Sequence, residues 1–186
     1  MTKKMLVGAL QASGANAANP PTQKFSYDVH AEWELSRLLS ALDEQTKDAE
    51  VKKDAAKLRE IKQLAETCAK VLQTQTVSAE VFIQLATRAV NRNDFNNLDG
   101  LADILAQRFS AGEVAEIVRQ TELAQIRAIA YETLAMMPVV HLLPLLDDTL
   151  YFEIARAAIE QQAFEFENDD AQQILEQLEF DETNGE

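Results

Sequence analysis

The chain has 186 residues, 47% of them hydrophobic, with 31 acids against 17 bases and a formal net charge of −14. That length holds one domain, or one helical domain with an appendage, and that hydrophobic share is enough to bury a core. The charge balance argues against nucleic acid and anionic membrane as partners, because affinity for both comes mainly from lysine and arginine.

A basic protein surface would be attracted instead, and the acidic surface favours solubility. No apolar run approaches the roughly 20 residues needed to cross a bilayer. Cys68 is the single cysteine, so no intramolecular disulfide forms, which points to a reducing compartment or to indifference to redox, and the expected location is cytoplasmic. Glycine (5) and proline (4) are scarce, while Ala, Leu, Glu, Gln and Lys dominate. These residues lose little side-chain freedom in a helix, so the expected class is all-α.

Residues 1–24 lack periodicity, contain no acid and end in Pro20-Pro21. Their opening, Lys3-Lys4 before a short apolar stretch, imitates a secretory signal. The apolar part is brief and interrupted by Gly8 and Gln11, so cleavage is not expected. The segment reads either as a frayed tail or as an extended N-terminal arm that lies on a partner or neighbouring subunit.

A helical hairpin is expected over 25–76. Leu35, Leu38, Leu39 and Leu42 recur at three- and four-residue steps beside Trp33, as on an amphipathic helix. The facing stretch, from about Ala49 to Gln73, places Leu58, Ile61, Ala65, Cys68 and Leu72 on one stripe. Asp48–Lys52 and Glu66–Lys70 stand four apart, as ion pairs on a solvated face do. The two helices share one apolar seam. The lysines and Arg59 between Lys52 and Lys62 alternate with acids and have no aromatic neighbour for base stacking, so they read as a solvated face.

Residues 77–166 repeat at about 28 residues. Ala86, Val114 and Leu142 align, then Ala89, Ile117 and Leu145, then Val90, Val118 and Leu146. Polar breaks follow at Asn93, Thr121 and Thr149. A second helix then opens, with Leu98, Ile126 and Ile154 in register and Ala102, Ala130 and Ala158 one turn later. Alanines let helices approach closely, so each unit is a helix–turn–helix whose stacking makes a continuous core.

The unit that begins at Pro138 runs through Val139-Val140-His141, the acidic turn Asp147-Asp148 and then Glu153-Ile154-Ala155-Arg156-Ala157-Ala158. In these features it resembles the HEAT-like helical repeats of bacterial proteins. The preceding unit keeps Ile126-Arg127 but lacks the proline and the acidic turn, and the earliest keeps only apolar positions and Asp94. The resemblance covers about half the chain. It implies a short stack of antiparallel helix pairs and an adaptor or scaffold role.

Residues 167–186 read as an acidic capping helix and tail, using Ile174, Leu175 and Leu178. From Glu160 to Glu186 there are ten acids and no base, so this segment holds −10 of the total −14. It serves either as a solubilising end or as a contact surface for a basic partner.

No catalytic pattern emerges. His30 and Glu34 share a helical face, but nothing at ligand spacing completes a metal set. His141 opens an apolar helix and packs there or faces water. Cys68 sits at a core position as a small hydrophobe. No phosphate loop, nucleophile elbow or zinc-protease motif is present. Phe82, Phe95, Phe109 and Phe152 fall at core spacing, whereas Trp33, Tyr131 and Tyr151 are harder to place.

The expected function is a non-catalytic protein–protein interaction module, an adaptor or scaffold with no cofactor and with a protein partner of basic character. The alternative is a structural subunit of a large assembly, anchored by the N-terminal arm. In HEAT-like stacks second helices line the concave face, and tyrosine and arginine dominate interface energetics. The expected partner-binding residues are therefore Arg127, Tyr131, Arg156 and Glu160.

Overall fold

A computed structural model describes residues 27–184, and every regular element among them is helical. The arm over 1–24 and the signal-like opening lie outside the described residues. The chain divides between Gln75 and Thr76 into two compact units.

In the first unit, α1 (Val29–Gln45) starts on Asp28, whose side chain accepts the Ala31 N–H at 2.8 Å. Leu35, Leu39 and Leu42 are buried on one side of it. The short α2 (Ala49–Lys53) starts in the same way on Asp48, which accepts from the Glu50 N–H at 2.7 Å. α3 (Ala55–Gln75) buries Ile61, Ala65, Cys68, Ala69 and Leu72. α1 and α2 both pack on α3.

Two expectations are corrected here. The helix expected from Ala49 to Gln73 is broken at Asp54, whose backbone is extended and whose carboxylate accepts from the N–H groups of Ala56 and Lys57 at 3.0 and 3.1 Å. An aspartate that satisfies two orphan donors of a new first turn competes with helix continuation. The expected Asp48–Lys52 pair is likewise displaced, because Asp48 acts as a cap and Glu50 takes Lys53 at 2.6 Å.

The second unit contains α4 (Ala79–Asn91), α5 (Phe95–Arg108), α6 (Ala111–Gln120) and α7 (Ala124–Met136). A 3-10 turn (Val139–His141), α8 (Leu143–Leu146), α9 (Phe152–Glu165) and α10 (Asp169–Asn184) follow. α4 packs on α5, α6 on α7, α8 on α9 and α9 on α10. Alternate helices also meet, α4 with α6, α5 with α7, and α7 with α9. Ala86, Val114 and Leu142 are fully enclosed, and so are Ala130 and Ala158.

Helices α5, α7 and α9 open just after Asn93, Thr121 and Thr149. Asn93 takes a left-handed φ of 54°, which asparagine tolerates, and Asp94 N–H then returns to the Ala89 carbonyl at 3.0 Å. Phe82 and Phe109 are buried and meet edge-to-face at 5.6 Å. Phe95 departs from the core role expected of it and is exposed, because it is the first residue of α5, a turn ahead of the buried stripe Leu98, Leu101 and Leu105.

Several helix ends in this unit are held by distant side chains. Ser78 makes no side-chain cap at the start of α4, and Glu113 of α6 accepts the Ala79 N–H at 2.9 Å instead. Arg108, ending α5, donates to the Thr76 carbonyl at 2.9 Å. The first bond satisfies an N–H that the opening turn of α4 leaves without a partner, and the second a carbonyl in the link that leads into that helix.

Candidate functional site

The four residues expected to bind a partner resolve into two separate pairs. Arg127 and Tyr131 lie one turn apart on α7, Arg127 exposed and Tyr131 half-buried. The Arg127 guanidinium donates to the Thr121 carbonyl at 2.6 Å and thereby stitches the turn that precedes its own helix. Arg156 and Glu160 pair with each other on α9 at 3.1 Å. In the 28-residue register expected from the sequence, Arg127 and Tyr131 correspond to the fully buried Ala155 and Ile159. The α9 pair is therefore one residue, about 100° of helix, further round.

A polar cluster centres on Glu116 of α6, a residue the sequence does not single out. Its carboxylate accepts from Arg119 Nε at 2.7 Å and from Tyr151 Oη at 2.8 Å, and also bonds Gln120. Those donors, Arg119 first, hold the Glu116 carboxyl at about 2, against a smaller opposing effect of burial. The same contact raises the Tyr151 hydroxyl above its ordinary value. Tyr151 thus ties the entry of α9 back to α6, which accounts for an aromatic that had no place in the sequence pattern.

The most distinctive surface lies around the end of α7. A groove of about 710 Å³ runs between the α5–α6 junction and the 3-10 turn. Phe109, Met136, Met137, Val140, Pro144 and Leu145 supply its apolar lining, and His141 is the only ionisable side chain on it. A second depression of about 390 Å³ shares Met136, Met137 and Pro138 and adds Gln162, Phe166 and Asn168. Met136 is 65% exposed, Val140 63% and Phe166 50%. Large side chains in that state leave apolar area in water.

Gln162 holds this region together. It is 2% exposed, and its amide nitrogen donates to the carbonyls of Met137 at 2.9 Å and Leu134 at 3.4 Å. Its oxygen accepts from Asn168 Nδ2 at 3.2 Å. One buried amide on α9 therefore closes the C-terminus of α7 and fixes the turn that carries Phe166. Leucine and alanine stand 28 and 56 residues earlier, at 134 and 106, so a break in the expected apolar register was the available signal.

The turn from α9 to α10 puts acids beside the second depression. Glu165, Glu167, Asp169 and Asp170 flank Phe166 and Asn168 in sequence, within a few Å per residue step. Glu167 has a φ of 52°, a left-handed position that disfavours any side chain with a Cβ. The Asn168 N–H closes that turn on the Gln162 carbonyl at 3.1 Å.

The other sequence candidates sit elsewhere. His30 and Glu34 are both exposed and 3.9 Å apart, with the His30 ring stacked beside Trp33 and Arg37 over the indole at 4.6 Å. Among the described residues no three potential ligands gather for a metal ion. Cys68 is buried in the α1–α3 seam, and His141 is exposed on the 3-10 turn. Among the described residues no helix is long and apolar enough to cross a membrane. No protein-family model matches the chain, and no curated protein or solved structure is significantly similar to it.

Proposed function

We propose that this chain is a non-catalytic protein–protein interaction module, a HEAT-like stack of helix pairs that presents the Met136–Val140–Phe166 surface to a protein partner in the cytoplasm. The observation that carries this reading is the coincidence of a groove without carboxylates and exposed Met136 and Val140 in a chain of net charge −14. Methionines suit such a surface, since their unbranched, polarisable side chains adapt to a partner's shape. The order of helix contacts and the enclosed alanines support the stack, as does the spacing at which α5, α7 and α9 open. Arg127 and Arg156 then serve the stack's own turns and faces, and recognition centres on the α7 end.

Affinity capture from native extract with wild-type and M136S/V140S bait tests this reading. Both sites are exposed, so serine removes apolar area without disturbing the core. A defined partner held by wild type and lost by the variant is the expected result. An unchanged capture profile overturns it. The acid-free character of residues 1–24 supports a second reading, a subunit anchored in an assembly by that segment. It predicts capture that resists high salt and vanishes when 1–24 are deleted.

A further inference from the structure

We propose, resting on the interaction reading above, that the occupant of the α7 groove is an amphipathic helix with a basic flank, contributed by another protein. Its apolar stripe lies against Met136, Met137, Val140 and Pro144, and its lysines or arginines face Glu165 and Glu167.

Three features of the surface select that occupant. Among the described residues no strand exists, so no sheet edge can recruit a partner through backbone pairing. Recognition at this surface then rests on side chains entering a groove, a mode in which helices present anchors at three- and four-residue steps. The charge is one-sided. The main groove has no carboxylate on its wall, while the α9–α10 turn beside Phe166 carries Glu165, Glu167, Asp169 and Asp170 without a base. A ligand with an apolar face and a cationic flank satisfies both parts, whereas an acidic one meets repulsion along that turn. Finally, Glu167 occupies a left-handed position that glycine would fill with less strain. A carboxylate is kept there, one residue along the chain from Phe166, which lines the second depression.

The test uses the full-length chain and three synthetic peptides of about 18 residues with one leucine stripe at i, i+3, i+4 and i+7. Their remaining positions are lysine-rich, glutamine-rich or glutamate-rich, and binding is read by fluorescence anisotropy at low and high salt. The lysine peptide is expected to bind at least about tenfold more tightly than the glutamine peptide, and the glutamate peptide weakest. M136S/V140S should weaken the lysine peptide about tenfold, and E165Q/E167Q should erase most of its advantage over the glutamine peptide. F95S is the control, since Phe95 is an exposed apolar residue about 20 Å along α5 from Arg108.

Equal loss with F95S and M136S/V140S, or no loss with either, would mean diffuse adhesion to an acidic surface and overturns the proposal. Tighter binding of the glutamine or glutamate peptide, still abolished by M136S/V140S, overturns the basic occupant and leaves the groove as a docking surface. Failure of all three peptides overturns it too, while the capture experiment decides the broader reading independently.

Discussion

In the N-terminal unit, Asp28, Asp48 and Asp54 each cap a helix that begins within the next residue or two. The C-terminal unit has local caps too, at Asp94, Ser110 and Asn168, and adds caps that reach across helices, with Glu113 of α6 capping α4 and Gln162 of α9 closing α7. The first arrangement is local, and the second needs helices already packed before the polar groups can meet. Local caps specify helix boundaries one at a time, each contributing about 1 kcal/mol. Caps supplied across a packed interface couple the helices they join, so losing one disturbs several elements at once. A surface that must hold a fixed shape at the end of α7 is better built in the second way.

The sharpest way to break the contrast is to empty the N-terminal seam. Leu39 is fully buried between α1 and α3, so Leu39→Ala should cost about 3 kcal/mol through lost burial and the cavity left behind. Hydrogen exchange should show protection falling in α1 and α3, and unchanged protection would mean that the seam does not hold those helices.

Gln162→Leu probes the coupled unit. The substitution keeps volume but strands the Met137 carbonyl and Asn168, and the expected loss is about 2 kcal/mol. Chemical denaturation followed by circular dichroism should show it at least as large as the roughly 1 kcal/mol expected for Asp28→Ala. Groove binding should fall as well, because Gln162 positions both Met137 and the Phe166 turn. If Gln162→Leu proves the milder of the two, the cross-helix cap is not the stronger device.

Glu167→Gly should act in the opposite sense. Relief of the left-handed strain is expected to stabilise the chain by about 0.5–1 kcal/mol, while removing a rim carboxylate lowers affinity for a basic helix. Stability and binding would then move apart, which marks a position kept for its surface.

The smallest effect concerns pH. Glu116 is held at about 2 by Arg119, Tyr151 and Gln120, below its ordinary 4.5. A depressed carboxyl contributes stability that is fully present above its unfolded value and is lost as pH falls through the folded one. Glu116→Gln should therefore cost up to about 1 kcal/mol at pH 6, and the difference from wild type should shrink between pH 4.5 and 2. A difference that stays constant over that range would mean that the charge of Glu116 is not what joins α6 to Tyr151.

Much of the helix plan was legible because the relevant forces act along the chain. Spacing alone placed Leu35, Leu38, Leu39 and Leu42 on one stripe and Leu58, Ile61, Ala65, Cys68 and Leu72 on another, and all are buried except Leu38 and Leu58, which are half-buried. The polar breaks at Asn93, Thr121 and Thr149 precede the observed openings of α5, α7 and α9. Local rules were overridden where two held at once. The helix expected from Ala49 to Gln73 crossed Asp54 although its apolar stripe began only at Leu58, and the capping chemistry of that aspartate ended one helix and began another. Phe95 obeyed the spacing of a core residue and still emerged into solvent, since periodicity cannot say where the facing surface stops.

The candidate site was legible only in part. Tyr131, Arg127, Arg156 and Glu160 carry chemistry that interfaces favour, and in the fold Arg127 bonds the Thr121 carbonyl while Arg156 pairs with Glu160. The acid-free groove could not be read from the sequence. Phe109, Met136, Val140 and Pro144 come from different helices and a turn, and each alone looks like core. Composition, charge and periodicity settled that this chain is helical, acidic and rich in amphipathic segments, because those properties belong to single residues and their near neighbours. Tertiary packing alone decided that Glu116 meets Tyr151, that Gln162 seals α7, and that Met136, Val140 and Phe166 come together near one end of that helix. Those are encounters between residues far apart in sequence, and their geometry exists only once the intervening helices have packed.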